Sequence, residues 1–514
     1  MPIQNFLSFW LFFPPIVLSH FVSDPRLVCP YPLPSSLKPY CTCVMQAEYS
    51  GGTKKVLLGS FAKTLRCYWD EEFDFVRIVE AFDYDNHIAS LELDGELNRK
   101  YFLTKEDLGR FNVSRLQIVT KFSKDQQLFE PGALEGSKGS LHTLEVKYTN
   151  TYKVQEKEGH ITLDYLKEIC PGLMTLVVHG VSLLKSEDFE GCSKLTHLTL
   201  ENTNLANIGS DFFIHLPSLE FFHFSSHAKF WIQTGAFRNL PNLKTVELYA
   251  VTDKYNAGAY SLLDEKSEHY GKTVISQGAF DSLPKLLTLK FAHCKTLKGY
   301  CSRDPVTVDL FEEKAFLGLG KLKKFIVLKG YQESLPRLFD NAPKLNIFKF
   351  QSGLKVVEAD AFEGLPSLTD IDLSDNKITR LNNAFRNIPT YLRKVDLSKN
   401  QITSLGNVSG DLSYLKEINL KENTKLTSIN KDFLKLFKNI EKYENNKYRY
   451  RSSGHFQVDM NDIPLDCGCD IRWLYGNEDM LHYFDSGARC ASGVALKDVS
   501  MIKSFPGGLY LLFR

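Results

Sequence analysis

One arrangement of apolar and polar residues occurs three times between residues 361 and 423. In each copy three apolar residues lie at spacings of three and two, an Asn follows three positions later, and the copies are offset by 24 and 23 residues. The copies are Leu368, Ile371, Leu373 and Asn376; Leu392, Val395, Leu397 and Asn400; and Leu415, Ile418, Leu420 and Asn423. Successive residues of a strand point to opposite faces, so each copy predicts a short strand with its apolar side chains in a core. The Asn comes where the chain turns, and its amide can bond the backbone of adjacent coils.

The same spacing continues over most of the chain, mainly in steps of 22 to 25 residues. Repeats start at Ile88, Val113, Leu141, Leu173, Leu195, Leu219, Leu243, Leu286, Leu322, Leu345, Leu368, Leu392 and Leu415, and a degenerate repeat follows near Phe437. LxxLxLxxN at this period resembles the leucine-rich repeat. The resemblance implies an α/β-type leucine-rich-repeat solenoid, a curved horseshoe with a parallel β-sheet on its concave face. Its convex face would carry irregular or short helical turns.

A Phe lies six residues before many repeat starts, often within F-x-x-L-P-x-L. These residues are Phe189, Phe213, Phe237, Phe280, Phe316, Phe339 and Phe362. They predict an aromatic spine on the convex side of the core, which is a packing role.

Two steps between repeats are long, with 43 residues from Leu243 to Leu286 and 36 from Leu286 to Leu322. They place insertions near residues 252–274 and 298–310. Insertions in solenoids form loops on one face, often near the binding face. A tolerated surface excursion is the alternative, because lengthening a loop costs little.

The first 19 residues are typical of a secretory signal peptide. Residues 6–18 are nearly all apolar, which is too short for a bilayer, and residues 17–19 suit cleavage. A signal anchor is the alternative. No later stretch reaches about 18 apolar residues, so a secreted, extracellular protein without a membrane span is predicted.

Seven of the 11 cysteines cluster at the two ends of the chain. Solenoids need caps over their exposed ends, and small secreted caps need disulfides. We therefore assign residues 24–74 and 461–500 to caps, 75–460 to a solenoid of about 13–14 repeats, and 501–514 to an atypical tail. Zinc is the rival explanation, but the spacings match no common zinc module.

The two groups resemble the N- and C-terminal cysteine caps of extracellular leucine-rich-repeat proteins. The second group carries P-x-x-C-x-C-x-x-x-W-L from Pro464, although Ile463 stands where the family has Asn. The resemblance implies the disulfides Cys29–Cys43, Cys41–Cys67 and Cys467–Cys490. Cys469 then has no partner before the chain ends. An unusual chain end, a free thiol and a bond to another chain all remain open.

Cys170 and Cys192 each lie three residues before a repeat start, so they occupy equivalent positions of neighbouring coils. Neighbouring strands are about 4.8 Å apart, within reach of a disulfide. A Cys170–Cys192 bond is therefore predicted over two buried thiols. A Cys294–Cys301 bond is also predicted, although packing alone explains Cys294.

Two N-glycosylation sequons occur, at Asn112 and Asn407. The predicted export makes both of them candidate glycosylation sites, and Asn407 falls in the descending part of a regular repeat, where a glycan would be exposed.

The composition and motifs give no sign of catalysis or nucleic-acid binding. The net charge is +1, from 62 basic and 61 acidic residues, so no overall field favours a polyanion. No nucleophile elbow, P-loop, dinucleotide fingerprint or HExxH motif occurs, so we predict no enzyme, catalytic residue, cofactor or metal. The wide first cap, the F-x-x-L-P-x-L repeats and DCGCDIRWL resemble an arthropod group named after the non-catalytic subunit of oplophorus-luciferin 2-monooxygenase.

Protein binding is the predicted function, on the outward side chains of the strands. Several of these are large and apolar in neighbouring coils, and a clustered apolar patch rimmed by charge favours a protein ligand. The predicted ligand-binding residues are Phe221, His223, Tyr249, Lys290, Lys324, Ile326, Leu328, Ile347 and Lys349. A locally wrong register, or cover from an insertion, is the alternative.

The role of one basic stretch and the functional class have more than one explanation. The basic stretch 442–456 could contact anionic glycans or lipid head groups, although a solvated surface explains it as well. The protein could be a soluble binding protein of the extracellular space or a non-catalytic accessory subunit that stabilises a secreted enzyme. A truncated ectodomain of a cell-surface receptor is a third possibility.

Overall fold

The computed structural model describes much of the chain between residues 35 and 499. The described residues are 35, 39–45, 63–69, 87–95, 101–109, 111–120, 127–148, 163, 165–180, 184–203, 205, 207–226, 230–250, 273–293, 310–311, 315–328, 330, 332–381, 384–385, 391–405, 412, 414–429, 456–468, 474, 481, 483–484 and 487–499. The chain divides into two compact units. One comprises Met1–Gly180 and Glu187–Leu195, and the other comprises Val181–Ser186 and Thr196–Arg514.

The first unit is built on a sheet in the order β1-β2-β3-β5-β7-β8, with β4 and β6 paired separately. Its strands are β1 (Cys41–Met45), β2 (Lys63–Trp69), β3 (His87–Gly95), β4 (Tyr101–Leu103), β5 (Asn112–Thr120), β6 (Gln127–Phe129), β7 (Thr143–Tyr148) and β8 (Thr175–His179). Among these described strands, β1 and β2 pair antiparallel and the others pair in parallel. The helices α1 (Lys105–Leu108) and α2 (Leu166–Ile169) and the 3₁₀ turn Glu135–Ser137 are short. The early repeats are in register, because Ile88 pairs with Val113 and Leu144 with Leu176.

The second unit carries a parallel sheet in the order β9-β11-β13-β15-β17-β19-β21-β22-β23-β24. These strands are β9 (His197–Thr203), β11 (Phe221–Ser226), β13 (Thr245–Ala250), β15 (Thr288–His293), β17 (Lys324–Leu328), β19 (Ile347–Gln351), β21 (Asp370–Asp372), β22 (Lys394–Asp396), β23 (Glu417–Asn419) and β24 (Gln457–Asp459). Two smaller sheets follow the orders β10-β12-β14-β16 and β18-β20. Their strands are β10 (Asn207–Ile208), β12 (Trp231–Ile232), β14 (Val274–Ile275), β16 (Leu310–Phe311), β18 (Ser334–Leu335) and β20 (Val356–Val357).

The remaining described elements are 3₁₀ turns at Ser186–Phe189 and Leu496–Asp498. The parallel strands, joined by turns and few helices, confirm the predicted solenoid fold class. The sequence assignment missed the last long step, because β23 pairs with β24 at a spacing of 40 residues, with Glu417 opposite Gln457. The degenerate repeat expected near Phe437 lies outside the described residues, as do all but residues 273–274 and 310 of the insertions predicted near 252–274 and 298–310.

The core of the second unit contains the expected aromatic spine. Ring centroids of Phe213 and Phe237 are 5.2 Å apart, those of Phe237 and Phe280 are 4.8 Å apart, and those of Phe280 and Phe316 are 5.6 Å apart. Phe316 and Phe339 continue the spine at 5.3 Å. Because Phe237 and Phe280 touch across 43 residues of sequence, the long insertion leaves the packing of the core uninterrupted.

The three regular Asn residues form the expected ladder between coils. Asn376 Oδ1 accepts hydrogen bonds from the backbone N–H groups of Ser352, Gly353 and Leu354 at 2.8–3.0 Å. Its Nδ2 donates to the carbonyl of Phe350 at 2.7 Å. Asn400 and Asn423 repeat the arrangement, and all three side chains are buried. Backbone groups that the solenoid buries are satisfied in this way.

Three disulfides lie within the described residues. Cys41–Cys67 joins β1 to β2, Cys170–Cys192 joins neighbouring coils at a Cα separation of 4.3 Å, and Cys467–Cys490 lies near the C-terminus. The predicted pairs Cys29–Cys43 and Cys294–Cys301 are not covered, since Cys29, Cys294, Cys301 and the Cys43 side chain fall outside the description, as does Cys469. Ile463, at the position of the family's Asn, is buried at 4 % exposure.

Candidate functional site

Every residue predicted to bind a ligand occupies an outward position of its strand. Phe221 pairs with Thr245, His223 with Glu247 and Lys290 with Ile326 along the register of the sheet. Exposure alternates accordingly in β17, where Phe325 and Val327 are fully buried and their neighbours are not. The residues named in the sequence analysis therefore share one face, which extends from β11 to β19.

Six of these residues form what we call the lysine–aliphatic patch, on β15, β17 and β19: Lys290, Lys324, Ile326, Leu328, Ile347 and Lys349. Lys324 is exposed and the other five are partly exposed. Lys324 lies opposite Ile347, and Ile326 lies opposite Lys349, so aliphatic and basic side chains alternate across β17 and β19. Such partly exposed aliphatic groups beside charge are typical of a protein-binding surface.

A polar network of five side chains occupies the neighbouring strands β9 to β15. His223 Nδ1 lies 3.3 Å from Glu247 Oε2, and His223 Nε2 lies 3.7 Å from Glu201 Oε1. Tyr249 donates to Glu247 at 3.2 Å, and Lys290 Nζ donates to the Tyr249 hydroxyl at 2.8 Å. The hydrogen bond with His223 lowers the pKa of Glu247, and burial raises the pKa of Tyr249. The network fixes the outward side chains of four strands in one arrangement.

Two predicted ligand-binding residues are less accessible than expected. Tyr249 and His223 point outward but are each only 4 % exposed. The reason is packing within the network, because the two rings lie 4.8 Å apart and the Tyr249 hydroxyl bonds both Glu247 and Lys290. The expectation that Tyr249 contributes an exposed apolar surface was therefore wrong. Phe221 remains partly exposed, with its ring 5.8 Å from that of His197.

Glu201 and Glu247 also belong to the network, although they are not among the predicted ligand-binding residues. Their carboxylates flank His223 on the two adjacent strands. The signal in the sequence is that Glu247 occupies the position equivalent to His223 in the next repeat, whereas Glu201 lies diagonally across from His223, two residues beyond its partner Thr199.

The outward face of β21 to β24 is acidic. It carries five carboxylates and one Lys, at Asp370, Asp372, Lys394, Asp396, Glu417 and Asp459. Lys349 donates to Asp372 at 2.5 Å, and Lys394 pairs with Glu417 at 2.8 Å. Burial alone would raise the pKa of Asp372, but hydrogen bonds from Lys349 and Ser374 lower it on balance.

The outward face of the first unit is occupied by ion pairs. Arg66 Nε lies 2.9 Å from Glu92 on the adjacent strand. Glu145 pairs with Lys147 at 2.5 Å and approaches Arg115 at 3.8 Å. None of the predicted ligand-binding residues lies in this unit.

The structure also bears on the other sites. Asn112 lies in β5, and its Oδ1 is buried without a hydrogen-bond partner, whereas Asn407 is outside the described residues. Of the basic stretch 442–456 only Phe456 is described.

Among described residues no group of three His, Cys, Asp or Glu could hold a metal ion. Within the same residues no helix is long and apolar enough to cross a membrane.

Comparison with protein-family models gives one family for this chain. Six copies of the BspA type leucine rich repeat region match residues 174–287 and 333–448. Together with the parallel coils, the Asn ladder and the aromatic spine, this match supports the leucine-rich-repeat solenoid fold. No catalytic family is found among the matches.

Solved structures with similar folds include three protein complexes. Toll in the Toll–Spatzle complex of Drosophila aligns with a TM-score of 0.48 and 14 % identity, over 88 % of this chain and 73 % of that one. Mouse RP105 bound to MD-1 aligns with a TM-score of 0.46 and 15 % identity, over 85 % of this chain and 62 % of that one. A complex of Latrophilin 3, Unc5D and FLRT2 aligns with a TM-score of 0.41 and 15 % identity, over 70 % and 88 %. These are likenesses of fold.

Proposed function

We propose that this chain is a secreted, non-enzymatic leucine-rich-repeat protein that binds a protein ligand on its outward sheet face. The observation that carries the proposal is the lysine–aliphatic patch. Three aliphatic side chains at outward positions stay partly exposed: Ile326, Leu328 and Ile347. The residues that alternate with them along the same strands, Phe325, Val327 and Phe348, are buried. Aliphatic side chains that the core does not use are available for burial against a partner.

Secretion is supported by the apolar leader in residues 1–19 and by the disulfides, which persist in oxidising compartments. The resemblance of the caps and repeats to the arthropod non-catalytic subunit group makes an enzyme one candidate partner. The proteins in the solved complexes, Toll with Spatzle and RP105 with MD-1, are themselves partners of other proteins.

Affinity capture from extracellular fluid tests the proposal. The full chain and the double variant Ile326→Asp/Ile347→Asp are immobilised, and bound proteins are identified by mass spectrometry. Val177→Asp is the matched control, because Val177 is a partly exposed residue at an outward position of β8 in the first unit. We expect proteins that the native chain and the control retain and the double variant loses. An enzyme retained in a fixed ratio would assign the accessory role, and identical retention by all three chains would refute the binding face.

A further inference from the structure

The signs of charge on the outward face of the second unit fall into three blocks. Strands β9 to β13 present Glu201 and Glu247 and no Lys or Arg. Strands β15 to β19 present Lys290, Lys324 and Lys349 and no acidic residue. Strands β21 to β24 are again acidic, with the five carboxylates described above. The lysine–aliphatic patch is thus a basic strip with acidic surface on both sides.

The blocks are far enough apart to act separately. Strands in a sheet are about 4.8 Å apart, so the centres of neighbouring blocks lie roughly 15 Å apart. The screening length at physiological ionic strength is about 8 Å, so a charged group over β17 responds mainly to the lysines. Lys324 is the exposed member of the strip, whereas Lys349 is paired with Asp372 and Lys290 is bonded to Tyr249.

We propose that the patch receives a short acidic stretch of a protein partner that also carries aliphatic side chains. This inference rests on the proposed function and specifies the chemistry of the ligand at the same face. The lysines supply the complementary charge, and Ile326, Leu328 and Ile347 supply the apolar contact.

The flanking acidic blocks limit the length of the acidic stretch. The basic strip covers three strands, about 10–15 Å, which an extended chain crosses in roughly four residues. A longer acidic run would reach Glu247 on one side or Asp370 and Asp372 on the other, where like charges repel. Basic or neutral residues therefore belong on both sides of the acidic stretch.

Selection from a phage-displayed library of random peptides tests this chemistry directly. Peptides are selected on the intact chain, and the recovered sequences are compared with those selected on Lys290→Glu/Lys324→Glu. Lys321→Glu/Lys344→Glu is the matched control, because it changes the net charge equally at two exposed lysines outside the outward face. Thermal unfolding of each variant shows that the fold is retained.

We expect the selected peptides to share an acidic, aliphatic stretch of about four residues without acidic flanks. A synthetic peptide of that sequence should bind the Lys290→Glu/Lys324→Glu variant at least tenfold more weakly and the control pair as it binds the native chain. Raising the salt concentration should also weaken its binding.

The other results have distinct meanings. Peptides with basic or uncharged centres that still need Ile326 and Ile347 would overturn the acidic chemistry and leave the binding face in place. If no peptide is enriched, or if binding is indifferent to both the lysines and the isoleucines, the binding face and the inference both fail.

Discussion

The coils of β11 to β19 and the coils of β21 to β23 share the same repeat but differ in their core residues, in the residue at the Asn position and in their outward face. In the first set the core is filled with Phe, as at Phe224, Phe291 and Phe325, and Gly330 and Gly353 stand where Asn would complete the signature. In the second set the buried strand residues are aliphatic, as at Ile371, Val395 and Ile418, and the Asn ladder bonds each coil to the next. The outward face is aliphatic and basic over β15 to β19 of the first set and acidic in the second.

The regular coils fix the register, and we propose that the irregular coils carry the binding chemistry. A ladder of buried Asn residues holds its coils in one geometry by hydrogen bonds. The Phe-filled coils depend on ring packing, which accommodates long insertions between coils, as the contact between Phe237 and Phe280 shows.

Removing a ring from the spine should be the most damaging single change. Phe280→Ala is expected to destabilise the second unit by about 4 kcal/mol, since Phe280 is fully buried between Phe237 and Phe316. Phe280→Leu should cost clearly less because it leaves a smaller cavity. Thermal unfolding monitored by circular dichroism provides the measurement, and equal losses for the two variants would argue against close ring packing.

Breaking the ladder should cost somewhat less than breaking the spine. Asn376→Ala removes the acceptor of the N–H groups of Ser352, Gly353 and Leu354 and a donor to the carbonyl of Phe350, and we expect a loss of about 3 kcal/mol. Asn419→Ala is the control, because Asn419 lies on the partly exposed outward face and bonds Asp396 at 3.2 Å. It should change stability by less than about 1 kcal/mol. Comparable losses in urea unfolding would contradict the structural role of the ladder.

The ion pair between the two sets of coils should make stability depend on pH. The pKa of Asp372 is lowered in the folded chain, so its contribution is present above the unfolded pKa of about 4 and is lost as the pH falls through the lower folded value. Asp372→Asn should therefore lower the melting temperature at pH 7, and the difference from the native chain should shrink towards pH 2.

Lys349→Met provides the second arm of that experiment. It removes the ammonium group that donates to Asp372 at 2.5 Å. It should therefore reproduce part of the pH-dependent difference in melting temperature from the native chain. A melting-temperature difference that stays constant from pH 7 to pH 2 would exclude this linkage.

The smallest effect is expected at the turn before a ladder Asn. Lys399 adopts a φ of 55°, a conformation that Gly adopts without strain, so Lys399→Gly should stabilise the chain by about 0.5 kcal/mol. Lys421→Gly, at a neighbouring turn residue without positive φ, should destabilise by a similar amount. The opposite order of melting temperatures would show that the left-handed turn is not a source of strain.

Much of the fold could be predicted from the sequence, because the repeat determines it locally. The spacing of Leu368, Ile371 and Leu373 fixes a strand and its buried face, and Asn376 marks the turn. The last coil was missed because 40 residues separate Gln457 from its partner Glu417, so no periodic signal connects them.

For the candidate binding face, the sequence predicted which side chains point outward but not how exposed each of them is. Parallel register placed Tyr249 on the outward face correctly, since alternation depends only on the strand. Its burial depends on His223, Glu247 and Lys290, which lie on three strands and come together only through the fold. Ile326, without such partners in the described network, stays partly exposed.

The affinity of a captured partner for Ile326→Asp is the most direct test of the binding face. Isothermal titration should give binding about 30-fold weaker than for the native chain, as expected when a central apolar contact of about 2 kcal/mol is lost. The melting temperature should remain within about 2 °C, because Ile326 is a partly exposed surface residue. Unchanged affinity in a folded variant would contradict the assignment of the lysine–aliphatic patch as the ligand site.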